Sequence, residues 1–176
     1  SCSFAVATLQ DAGAYWNDCR PANIGVDPCA PWHQRYYGFD LGAASSKAVD
    51  VWAHETIYPG ERRKMLPSEY SPVVDLEYGS VQAIRGDWLH SSCDRQSAVY
   101  TAYVLAGNVL PWQAAADAGD VPAVLQARLA AAANPAMLPG LAAWPCEEQQ
   151  LAYAAMCGEE RAASIARQIV ASRQGM

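Results

Sequence analysis

The chain has 176 residues, of which 52% are hydrophobic and 17% charged, with a net charge of −6. So apolar a composition excludes a solvated disordered chain, and the length suits one domain that can bury a core without needing a metal or covalent staple to fold. The negative balance argues against duplex nucleic acid, whose phosphates reward clustered Lys and Arg. The one basic cluster, Arg62-Arg63-Lys64 after Glu61, is too short to track a phosphate backbone.

The N-terminal stretch 4–16 carries Phe4, Leu9, Ala12 and Trp16 at near-helical spacing and reads as a short helix, weakened by Gly13. Pro21, Gly25, Pro28 and Pro31 then break the chain often enough to predict a loop over 20–31. Residues 32–39 are aromatic. Over 48–58 the pattern alternates, with Val49, Val51, Ala53 and Ile57 on one face and Asp50, Trp52, His54 and Thr56 on the other. That is the signature of a half-buried strand, which Pro59-Gly60 closes. Two further strands are expected over 73–78 and 80–84, separated by Gly79 as a bulge or tight turn.

The second half is helical in pattern. Ser92 is a suitable N-cap for a helix over 93–105, with Val99, Tyr103 and Leu110 as its apolar side and Gly107-Asn108 as its stop. Segments 111–118 and 121–133 form a helical pair joined at Gly119-Asp120 and ended by Asn134-Pro135. Segments 147–156 and 159–172 form another, joined at Gly158. The two corners align at an offset of about 39 residues and superficially resemble helical-hairpin arrays of the ankyrin type. Only two copies occur, however, and the hairpin-starting motif of ankyrin repeats is missing. The expected fold is α+β: one domain over 1–176, a small antiparallel sheet in a mixed strand and loop part (1–90) packed on a helical bundle (91–176). A mostly α fold is the alternative.

Six cysteines, Cys2, Cys19, Cys29, Cys93, Cys146 and Cys157, are compatible with three disulfides among fifteen pairings, and no CxxC pair supports a zinc ribbon or redox motif. Cys19 and Cys29 bracket the proline-rich loop, where a local bridge is easy. Cys146 and Cys157, on one continuous helix, would lie about 16 Å apart and so need other partners, such as Cys2 or Cys93. Disulfides point to an oxidising compartment, and the first residue, Ser rather than Met, is most simply explained by a removed signal peptide. No run of about 18 apolar residues exists to form a transmembrane helix. Stretch 125–141 comes closest, and Arg128, Asn134 and two prolines interrupt it.

Cys93, at an expected helix N-terminus, is the one candidate nucleophile, since such a position lowers a thiol pKa. Its placement resembles that in papain-like thiol hydrolases. The resemblance implies His54 as base and Asp50, on the same strand face, as orienter. In those enzymes the histidine normally follows the cysteine, whereas His33, His54 and His90 all precede Cys93; only circularly permuted relatives share that order. The histidines have no HxH, HxxxH or HExxH spacing, so no metal is expected, and no motif implies a cofactor. Glu147-Glu148 and Glu159-Glu160 are explained by favourable helix-dipole positions. Gly42 to Lys47 does not match a phosphate-binding loop.

The most suggestive surface feature is the cluster Trp32, His33, Arg35, Tyr36, Tyr37 and Phe39, because Trp, Tyr and Arg are the residues that anchor interfaces. The expectation is therefore a disulfide-stapled binding protein of the periplasm or exterior, of inhibitor or immunity type, with a protein partner that its acidic charge suits to be basic. The Ala-rich, Lys-poor composition suggests a bacterial source. A Cys93 hydrolase and a structural subunit of an extracellular assembly are the alternatives. The sequence leaves the oligomeric state open.

Overall fold

A computed structural model describes residues 6, 9, 14–16, 18–30, 36–38, 45–46, 75–85, 91–157, 165, 168 and 171. The fold is α+β: among the described residues, two small antiparallel ribbons lie in the N-terminal half and the rest is predominantly helical. Strand β1 (Ala14–Tyr15) pairs with β4 (Ser45–Ser46). Strand β2 (Ile24–Val26) pairs with β3 (Tyr36–Gly38), placing Ile24 opposite Gly38, Gly25 opposite Tyr37 and Val26 opposite Tyr36. Among the described residues the α-helices with defined bounds are α1 (Val81–Arg85), α2 (Ser91–Leu105), α3 (Gln113–Asp117), α4 (Val121–Ala133) and α5 (Cys146–Met156).

Helix α2 is the centre of the fold. Residues 93–101 are all buried, so it is covered around its whole girth rather than on one stripe. Val99, Tyr100 and Tyr103 face the main core, which also takes in Leu110, Trp112, Val124, Leu138, Leu141 and Leu151. Ala98 belongs to a second, smaller cluster with Val6, Trp16 and Cys19, against which Ile24 of β2 packs. Total burial works because the polar side chains of α2 find partners. The Trp16 amide donates to Asp94 Oδ2 at 2.7 Å, the Val81 amide donates to Gln96 Oε1 at 3.2 Å, and Thr101 Oγ1 donates to the Cys19 carbonyl at 2.7 Å. These bonds reach from the helix to the β1 segment, to α1 and to the stretch before β2, so the polar residues of α2 align the rest of the fold.

Helices α2 and α5, α3 and α4, α1 and α4, and α4 and α5 lie against one another. Ala131, Ala152, Ala154 and Ala155 are buried there, and their small side chains permit close helix approach. The expected stops at Gly107 and Gly119 hold, whereas α2 starts at Ser91, so Ser92, the expected N-cap, lies inside its first turn. Gly107 and Gly119 have φ of +84° and +70°, a left-handed backbone that glycine takes without strain. The Asp120 side chain caps α4 by accepting from the Ala123 amide at 3.1 Å. Helix α3 starts at Gln113, two residues later than the expected 111.

Several expectations in the first half are corrected. Residues 75–79 form a turn, not the end of a strand: Asp75 Oδ1 accepts from the Glu77 and Tyr78 amides, at 2.8 and 3.1 Å, and the Gly79 amide returns to the Asp75 carbonyl. An Asp side chain offers the backbone this local alternative to a ladder. The stretch 80–84, expected as a strand, is instead α1. Ser80 Oγ accepts from the Ala83 amide at 3.0 Å and so starts a helix where the apolar pattern was too short to choose a period. The expected loop 20–31 contains a 3-10 turn (Pro21–Asn23) and strand β2. Near the N-terminus, Val6 and Leu9 are helical, but the chain is already extended at β1. The expected strand over 48–58 lies outside the described residues. Of the expected helix 159–172, Ile165, Gln168 and Ala171 are described, and all three are helical.

Candidate functional site

The aromatic segment is represented by β3. Tyr37 is 52% exposed and Val26, at the end of the paired strand, 49%. The Tyr37 ring lies over the backbone of its cross-strand partner Gly25, in the place a Cβ there would occupy. Glycine at 25 thus gives the ring a seat on its own ribbon, so an exposed aromatic is held in position rather than left to rotate. On the other strand, the Trp16 ring occupies the space beside Gly38 in the same manner, and Trp16 is fully buried. The ribbon is therefore fixed to the body through Trp16 and Ile24 and offers Tyr37 and Val26 outward. Asp27 braces the turn after β2, its Oδ1 accepting from the Cys29 amide at 2.9 Å. Tyr36 is in β3. Trp32, His33, Arg35 and Phe39 lie outside the described residues.

Cys93 is the third residue of α2, at the helix N-terminus its sequence implied, but it is only 4% exposed. Its suggested partners His54 and Asp50 lie outside the described residues, as does Cys2. Cys19 is buried, whereas Cys29, Cys146 and Cys157 are exposed, and no disulfide joins any two of the five described cysteines. Cys146 opens α5 and Cys157 caps its end, the one-helix arrangement that separates them beyond bonding reach. Among the described residues no three His, Cys, Asp or Glu side chains gather to hold a metal, and no helix is long and apolar enough to cross a membrane.

A third constellation was not singled out from the sequence. Arg128 of α4 is fully buried. Its guanidinium carbon lies 4.9 Å from the ring centres of both Tyr100 and Trp112, which meet edge to face at 4.9 Å and 77°. Arg128 Nη2 donates to the Leu76 carbonyl at 2.6 Å, and Trp112 Nε1 donates to the Glu77 carbonyl at 2.9 Å. The cation and the indole together hold the Asp75–Gly79 turn against the helices. Beside it, Tyr78 donates its hydroxyl to Glu77 Oε1 at 2.5 Å, and Arg20 reaches Asp18 at 3.2 Å and Asp75 at 3.8 Å. Burial pushes Arg128 down to about 10, opposed by Tyr100, Asp75 and Glu77, so it remains a cation at neutral pH. Burial pushes the Tyr100 phenol up to about 12 despite the nearby Arg128 charge, and burial together with the Glu77 hydrogen bond raises Tyr78.

No protein-family profile, curated protein or solved structure matches this chain.

Function therefore rests on the site geometry alone. Of the three constellations, the ribbon presents side chains to solvent, the α2 start encloses its thiol, and the Arg128 cluster is internal. The sequence did carry a cue to the last: Arg128, the one charged residue of α4, must either reach the surface or find π faces and carbonyls inside.

Proposed function

We propose that the chain is a binding protein of the periplasm or exterior, of inhibitor or immunity type, which acts through protein–protein contact and is stapled by disulfides in its native compartment. The observation that carries this reading is the outward Tyr37 on a ribbon anchored by buried Trp16. An aromatic side chain already held in one place loses little entropy when a partner covers it, which is the property of an interface anchor. Trp32, His33, Arg35, Tyr36 and Phe39 are the other members of the aromatic cluster in the sequence. A net charge of −6 suits a basic partner through electrostatic steering. The hydrolase alternative with Cys93, His54 and Asp50 needs a reachable thiol, and a residue 4% exposed is poorly placed for attack. An extracellular structural subunit would use the same ribbon for self-assembly.

The test compares wild-type protein with Tyr37→Ser as bait in the native extracellular fraction, read by mass spectrometry. One protein captured by wild type and lost with Tyr37→Ser, at unchanged circular dichroism, is the expected result. Equal capture by both baits removes the ribbon from the function. Light scattering on the purified chain separates a monomeric binder from an assembly subunit. Intact mass of unreduced native material tests the staples, since six retained thiol hydrogens would overturn the compartment assignment.

A further inference from the structure

We draw no further inference here: the strongest candidate, the Arg128 guanidinium sealed between Tyr100 and Trp112, belongs to the side-chain cluster already described, and nothing among the described residues shows what would meet its Nε and Nη1 groups.

Discussion

Arg128 and Leu76 are separated by 52 residues of chain, yet the Arg128 Nη2 donates a 2.6 Å hydrogen bond to the Leu76 carbonyl from a fully buried position. No carboxylate hydrogen-bonds to this cation among the described residues. Its lost hydration is offset in part by two aromatic faces and one main-chain oxygen, with Asp75 and Glu77 contributing from farther away. The turn that precedes the helical half is thereby tied to α4, and through Trp112 to the start of α3.

Replacing Arg128 should consequently cost more than a surface arginine. Arg128→Ala loses a charge-assisted hydrogen bond and two cation–π contacts and leaves a cavity, together about 4 kcal/mol. Arg128→Met keeps most of the volume and removes the burial cost of the charge, so its loss should stay below about 2 kcal/mol. Urea denaturation of both variants checks the order. An Arg128→Ala protein within about 1 kcal/mol of wild type would show that the guanidinium does not hold the turn.

Much of the helical half was legible because its signals are local. Gly119-Asp120 stops one helix and caps the next, and Gly107 ends α2 where the sequence placed it. The central position of α2 was not legible. Asp94, Gln96 and Thr101 lie off the apolar side that the sequence marks, and their long-range partners, the Trp16 amide, the Val81 amide and the Cys19 carbonyl, hold them in the interior. The 75–85 region failed for the opposite reason. There, single side chains, Asp75 and Ser80, decided the backbone against a weak alternating pattern. The aromatic segment was recognised by residue type, but its pairing with 24–26 was hidden behind prolines and a glycine that read as breakers.

Alkaline pH should destabilise the fold through its tyrosines. An unfolded tyrosine ionises near 10, whereas Tyr100 stays protonated to about 12 and Tyr78 is also raised. From about pH 10 upward the native state therefore binds more protons than the unfolded state, and stability falls as pH rises. Arg128 works in the opposite sense, because its folded value of about 10 lies below the unfolded 12.5 and adds stability over that window. Two raised phenols against one lowered guanidinium leave a net loss. Urea midpoints between pH 9 and 11.5 should decline for wild type and decline less for Tyr100→Phe. A Tyr100→Phe slope equal to wild type would contradict the assignment.

The two ribbon glycines should respond differently to the same substitution. Gly38→Ala drives a methyl into the ring of fully buried Trp16, which has no room to yield, and overpacking of this kind costs about 1–3 kcal/mol. Gly25→Ala displaces the Tyr37 ring, which is 52% exposed and can swing into solvent, so stability should change by less than about 1 kcal/mol. Partner capture should nevertheless weaken with Gly25→Ala, because the aromatic anchor loses its seat. Thermal melts and capture assays on the pair separate the roles; equal melting losses for both would contradict it.

The Thr101 hydroxyl ties α2 to the segment before β2, beside the packing of Ala98 against Cys19. It donates to the Cys19 carbonyl at 2.7 Å with both residues buried. Thr101→Val keeps the shape and leaves that carbonyl without the hydroxyl, at a cost of about 1–3 kcal/mol. Hydrogen exchange should quicken at the β2 amides while those of α4 and α5 keep their protection. A uniform change across all elements would mean that this bond is not a local tether.

Thiol accessibility discriminates the binding reading from the hydrolase reading without a partner or substrate. In reduced native protein, exposed Cys29, Cys146 and Cys157 should be the first of the described cysteines to alkylate with iodoacetamide. Buried Cys19 and Cys93 should lag by at least about tenfold and catch up only in denaturant, because reaction then waits on opening of the α2 N-terminal region. A nucleophile activated by a helix N-terminus and a histidine behaves oppositely: it reacts first, and near neutral pH. Peptide mapping after a short pulse reads the order directly. Cys93 labelled ahead of Cys146 would move the function to thiol chemistry, whereas Cys93 among the last leaves the Tyr37 ribbon as the working surface.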